Sequence, residues 1–223
     1  MGVTPSGTTH DDMPGGDAEL FWDKHYGARR TWGERVNPLL AEIAGPLRPG
    51  TALDLGCGAG GDAIWLARHG WQVTAVDISG TAVDKVRDRA RELGVGDRLT
   101  TERHDLARTF PAGEFDLISA QYFHTPFALV RSQVLRTAAN ALRPGGLLVV
   151  VDHGSTAPWS WNQDPDTHHP TPDELAAELD LDAGQWPILR GDRVQREATG
   201  PQGETAVVTD HVLLFARATG EEA

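Results

Sequence analysis

Apolar residues recur along this chain in two rhythms. Short runs at Thr51–Leu55, Gln72–Val76, Leu99–Arg103, Phe115–Ala120 and Leu147–Val151 predict strands, and the continuous apolar run of the last has the signature of a strand covered on both faces. Between them, Asp62–His69, Gly80–Leu93 and Phe127–Leu142 carry apolar residues at helical spacing, as in the stripe Ala82, Val83, Val86, Ala90 and Leu93. Strand and helix alternate, which predicts an α/β fold on a mostly parallel, doubly wound sheet. The last two runs break the alternation. Trp186–Thr199 and Thr205–Ala216 flank Gly200–Gly203 and predict an antiparallel hairpin that completes a seven-stranded sheet.

The ends of the chain read differently. Residues 1–17 are mostly Gly, Pro, Thr, Ser and Asp without periodicity and are expected to be a disordered tail. Ala18–Arg30 predicts a helix rich in aromatics, and Asn37–Leu47 a second, amphipathic one ended by Pro46 and Pro49. Asp152–Pro172 has no apolar period and reads as a long loop holding His153, Trp159, Trp161, His168 and His169. Thr171, Pro172 and Glu174 have the spacing of a capping box and open a helix to Leu179. Residues 18–217 form one domain in this reading, and 218–223 a short tail.

The chemistry concentrates between residues 54 and 77. Asp54 ends the first strand, Gly56, Gly58, Gly60 and Gly61 follow, and Asp77 ends the second strand. Glycines let the backbone turn sharply and let a ligand approach without a Cβ in the way. The helix that follows points free N–H groups back at that ligand. Asp77, about twenty residues beyond the loop, is placed for a ribose diol. Gly56, Gly58 and Gly61 satisfy the dinucleotide pattern G-x-G-x-x-G, but Asp54 argues against a pyrophosphate and for a ligand with positive charge.

The strings LDLGCGAG and VTAVDIS resemble the first two motifs of class I S-adenosylmethionine-dependent methyltransferases, and FDLIS and ALRPGGLLVV add to the likeness. FWDKHYGARRTWGERVNPLLAEIA resembles the leading segment of the small-molecule branch that includes thiopurine and tellurite-resistance methyltransferases. The resemblance implies a Rossmann-like fold and S-adenosyl-L-methionine as cofactor. It implies that Asp54, Gly56, Cys57, Gly58 and Gly60 seat the methionine end, that Asp77 and Ile78 meet the ribose, and that Asp105 and Leu106 meet the adenine. Gln121 and Tyr122 are expected beside the departing methyl group, and Trp22, Tyr26 or Trp32 over the sulfonium, where an aromatic face attracts a cation. His124 and His153, after the fourth and fifth strands, are the candidate general bases. The expected activity is methyl transfer to S, Se, N or O of a small, uncharged or cationic acceptor. A nicotinamide-dependent oxidoreductase and a non-catalytic S-adenosylmethionine binder are the alternatives.

Composition narrows the partners. The 223 residues carry 32 acidic against 20 basic side chains, a formal charge of −12, and only two of the basic residues are lysines. That is a poor match for nucleic acid, whose phosphates call for clustered Lys and Arg. The one cysteine, Cys57, excludes an internal disulfide and a Cys-cluster zinc site. A zinc site from His153, His168 and His169 is the less favoured reading of the loop, and no metal is expected. No apolar run reaches the length of a membrane span, and a cytoplasmic location is the expectation. Oligomeric state is left open.

Overall fold

The computed structural model describes residues 15–28, 35–160, 162–200 and 202–220. In chain order the elements are α1 (Gly15–Ala28), α2 (Pro38–Ala44), β1 (Thr51–Leu55), α3 (Gly61–Arg68), β2 (Gln72–Asp77), α4 (Gly80–Glu92), a single 3₁₀ turn, β3 (Leu99–Arg103), β4 (Phe115–Gln121), α5 (Arg131–Asn140), β5 (Leu142–His153), α6 (Pro172–Leu179), β6 (Ile188–Thr199) and β7 (Thr205–Ala216). One seven-stranded sheet has the order β3-β2-β1-β4-β5-β7-β6. The first five strands run parallel, β7 is antiparallel to β5, and β6 is antiparallel to β7. The Rossmann-like sheet and its C-terminal hairpin are therefore as the apolar pattern predicts.

Two apolar layers hold the sheet. Leu39, Leu40, Leu66, Trp71 and Val86 pack on one face. Leu53, Leu55, Ile118, Leu135 and Leu179 pack on the other. Each such side chain contributes about 1.5–3 kcal/mol by leaving water. β1 and β4 sit at the centre and are buried along nearly their whole length, which is why their sequences read as apolar runs. The strand order reverses between β1 and β4, and the crevice at their carboxyl ends is where an open α/β sheet takes its ligands.

Several boundaries differ from the expectation. α1 starts at Gly15, three residues before the apolar period begins. α2 ends at Ala44, because Gly45 and Pro46 follow. α5 starts at Arg131 rather than Phe127, after Val130, whose non-helical backbone precedes the helix with no side-chain cap. β5 begins at Leu142, across an irregular register with β4, and continues to His153, so Asp152 and His153 belong to a strand and not to a loop. The capping box is formed: Thr171 Oγ1 accepts from Glu174 N–H and the Glu174 carboxylate accepts from Thr171 N–H.

Candidate active site

The glycine loop turns directly out of β1. Gly56, Gly58 and Gly60 all have positive φ, at 66°, 51° and 83°. A Cβ on Gly60 would meet Val86 of α4 at 2.6 Å, so the tight approach of α4 requires a glycine there. A Cβ on Gly58 would meet the Tyr26 hydroxyl at 2.9 Å, and one on Gly56 the Phe123 ring at 2.8 Å. Tyr26 from α1 and Phe123 from the segment after β4 thus lie over the cradle.

Three carboxylates stand around it. Asp77 accepts from Gly58 N–H at 3.0 Å and Ser79 N–H at 2.9 Å, tying the loop to the end of β2. Burial raises its pKa, partly offset by the N–H groups of Ser79, Gly58 and Ile78. Asp54 is 2% exposed, and its Oδ2 has no hydrogen-bond partner. Burial first, then the charges of Asp62 and Asp77, push it well above the usual carboxylate range. Asp62, in the first turn of α3, accepts Asn37 N–H at 2.6 Å and is pushed up to about 6 by burial. Cys57 is buried, which raises its thiol pKa.

α1 closes this end. Asp23 accepts from Ser79 Oγ and from Thr81 N–H, at the start of α4. Arg103 reaches Glu19 at 2.7 Å. On the other side Trp22 Nε1 donates to Thr125 Oγ1 at 3.4 Å, and Phe21 meets Phe127 edge-on at 5.3 Å. Trp22 and Tyr26 stack at 5.8 Å. Trp32 and Trp161 lie outside the described residues. Asp105 uses its side chain locally, accepting Ala107 N–H at 3.1 Å and pairing with Arg108 at 3.3 Å, while Leu106 packs on the apolar layer behind.

A second cluster stands at the ends of β4, β5 and β7. His124 Nε2 lies 3.1 Å from Asp152 Oδ1; the imidazole is 43% exposed and the carboxylate 4%. Arg131 Nη2 holds both Asp152 oxygens, at 2.7 and 2.8 Å. Burial raises the Asp152 carboxyl, and the hydrogen bonds and charges of His124 and Arg131 more than reverse it, leaving it below the usual range. His153 stacks on Tyr122 at 4.2 Å and lies 6.3 Å from His124. Burial, then the neighbouring His124, holds its pKa below the ordinary value. Gln121 turns its amide to Ser119 Oγ at 3.0 Å. The histidines of the long loop go elsewhere, His168 to Glu174 and His169 to Thr156. Among the described residues no three His, Cys, Asp or Glu side chains are grouped to hold a metal ion.

Residues 52–146 match the model of a methyltransferase domain. Over that stretch the chain is similar to methyltransferases. Magnesium protoporphyrin IX methyltransferase from Synechocystis PCC 6803, whose structure holds bound S-adenosyl-L-methionine, shares the fold with a TM-score of 0.54 at 20% identity over 90% of this chain and 79% of that one. The 27-O-demethylrifamycin SV methyltransferase of Amycolatopsis mediterranei is 37% identical over 139 residues, 59% of this chain and 49% of that protein. The chain spans about half the length of the curated relatives it matches. A solved structure described as "Conversion of a Disulfide Bond into a Thioacetal Group during Echinomycin Biosynthesis" superposes with a TM-score of 0.66 at 26% identity, over 92% of this chain and 94% of that one. TehB from Haemophilus influenzae shares the fold, with a TM-score of 0.59 at 17% identity over 90% of this chain and 67% of that one.

The residues around the glycine loop fit S-adenosyl-L-methionine. The unpartnered Asp54 oxygen suits an ammonium group, the glycines leave room for a ligand where a Cβ would not, and Asp77 keeps lone pairs for hydroxyls. Asp152, Arg131, Phe123 and Asp23 were not singled out in the sequence. Asp152 had a signal, since it ends an apolar run as Asp54 and Asp77 do. Arg131 and Phe123 had none.

Proposed function

We propose that the protein methylates a hydroxyl group of a small acceptor with an apolar body, using S-adenosyl-L-methionine. The pair His124–Asp152 carries this reading. When bound, the cofactor supplies a methyl carbon activated by positively charged sulfur. A thiolate needs no help to attack such a carbon, whereas a neutral hydroxyl must lose its proton. His124 suits that task. Its Nε2 lies 3.1 Å from Asp152 Oδ1, and a carboxylate there favours the proton on Nε2, leaving the Nδ1 lone pair as the acceptor of the hydroxyl proton. The Asp152 charge then stabilises the imidazolium, and Arg131 keeps that carboxylate ionised and in place. The proton leaves to solvent through the exposed edge of the ring.

The rim supports an apolar acceptor. Phe21 is an exposed aromatic and meets Phe127 a few residues from His124. A relative named for an O-demethyl acceptor also supports oxygen as the methylated atom. The resemblance of the leading segment to thiopurine and tellurite-resistance enzymes supports the placement of α1 over the cofactor end rather than their acceptors. The acidic surface supports a small molecule over nucleic acid as the partner.

The test assays His124→Ala and His153→Ala against a phenol and a thiol, with titration of S-adenosylhomocysteine and NAD alongside. A base lost at position 124 should cost roughly 10²–10⁴ in rate on the phenol and far less on an ionised thiol. Turnover of the phenol within tenfold of wild type in His124→Ala would remove the base. Tight NAD binding without a response to S-adenosylhomocysteine would remove the methyltransferase reading itself.

A further inference from the structure

Tyr122 is the residue through which the two histidines are connected. It follows β4 directly and has φ of 50°, a left-handed conformation that a bulky aromatic rarely adopts unless its surroundings impose it. Its N–H donates to Val151 O at 2.8 Å, which keeps it in the β4–β5 register. Its carbonyl accepts His124 N–H at 2.8 Å, so the turn at Tyr122 sets where His124 leaves the sheet. Its ring carries His153 at 4.2 Å, with the planes 14° apart.

The surroundings that impose this come from the C-terminal hairpin. Arg196 Nη2 on β6 donates to the Tyr122 hydroxyl at 3.0 Å, and Arg196 Nε donates to Asp210 Oδ2 on β7 at 2.5 Å. Asp210 is fully buried, and its other oxygen has no hydrogen-bond partner. A planar fork that spans a phenol and a carboxylate fixes both in one plane, which a lysine cannot do. We infer that the Arg196–Asp210 pair is a clamp on Tyr122, and that Tyr122 is the positioning residue for His124 and His153. On this view the hairpin is part of the acceptor site rather than only the edge of the sheet. The inference rests on the reading of His124 as the base.

The test uses Tyr122→Phe, which keeps the ring and removes the clamped hydroxyl, and Arg196→Lys, which keeps the charge and removes the fork. Histidine titrations followed by NMR in the S-adenosylhomocysteine complex report the clamp without any acceptor. In both variants the His153 midpoint should rise by about half a pH unit or more as the ring loosens and gains water. Turnover of a phenol should fall about tenfold through kcat, with S-adenosylhomocysteine affinity within about twofold of wild type, as expected for lost orientation. The double variant should be no worse than either single one, because both break the same unit. Unmoved midpoints in both variants, or moved midpoints with unchanged kcat, would overturn the clamp. If the wild type turns over no hydroxyl acceptor, the base reading fails instead, and the midpoints still judge whether the clamp holds the ring.

Discussion

Asp62→Asn isolates one buried charge at the cofactor end. Asp62 is partly buried in the first turn of α3, and its pKa rises from an ordinary 3.8 to about 6 through burial. A carboxyl held that far above its unfolded value binds its proton more tightly when folded. Its contribution to stability is therefore complete below about pH 4 and is lost as the pH rises through about 6. The full displacement corresponds to roughly 3 kcal/mol at 1.36 kcal/mol per pH unit. Because Asp62 keeps some contact with solvent, the expected figure is about 1–2 kcal/mol. Asparagine has the same shape, can still accept Asn37 N–H, and does not titrate in this range. Urea unfolding near pH 4 should find variant and wild type alike. Near pH 7.5 the variant should be more stable by about 1–2 kcal/mol, or roughly 2–8 °C in midpoint for a domain of this size. Groups that titrate away from this site are common to both proteins and cancel; Asp54, which the Asp62 charge pushes up, ionises more easily in the variant and adds to the difference in the same direction. Equal pH slopes for the two proteins between about pH 4 and 7 would refute the assignment of this proton to Asp62.

Other outcomes follow from the same geometry. Asp77→Asn should weaken S-adenosylhomocysteine by about 1.5–3 kcal/mol through lost charged hydrogen bonds, measured by calorimetry; unchanged affinity would move the ribose elsewhere. Gly58→Ala should abolish measurable cofactor binding, since the added Cβ meets Tyr26 at 2.9 Å on a backbone with φ of 51°; binding at wild-type strength would show that α1 yields there. Amide exchange of residues 18–28 should slow when S-adenosylhomocysteine is added, because α1 spans the loop through Asp23 and Trp22; protection confined to Gly56–Gly61 would make those aromatics ordinary packing.

The geometry of the glycine-loop end was legible in the sequence because its parts are local. Asp54, the glycines and Asp77 fall within one β1–α3–β2 unit, where strand ends and turns are read from short-range pattern. The acceptor half was only partly legible. His124 and His153 could be placed at strand ends, but His124–Asp152 joins two strands, and Tyr122–Arg196 spans 74 positions. Such pairings depend on register. β5 continues through Asp152 to His153 because it pairs with β7 that far, with Asp152 opposite His211 and His153 opposite Asp210. The apolar run stops at Val151, so the pattern placed both residues in a loop. The helical period puts Arg131 inside a helix that starts at Phe127, whereas it is the first residue of α5 and reaches back to Asp152.

The two halves also differ in how they treat charge, and this bears on the acceptor. At the β1–β2 end, Asp54, Asp62 and Asp77 take their hydrogen bonds from backbone N–H groups, and burial keeps their pKa values high. A ligand with positive charge relieves that, because an opposite charge nearby favours the ionised carboxyl. At the β4–β5–β7 end each buried carboxylate already has its guanidinium, Asp152 with Arg131 and Asp210 with Arg196. A negatively charged acceptor would find both arginines engaged and an acidic cradle beside them. Breaking either pair to reach it would leave a buried carboxylate uncompensated, which costs about 3–5 kcal/mol. A neutral acceptor disturbs neither pair, and the hydroxyl acceptor proposed above, which needs only the Nδ1 of His124, meets that condition.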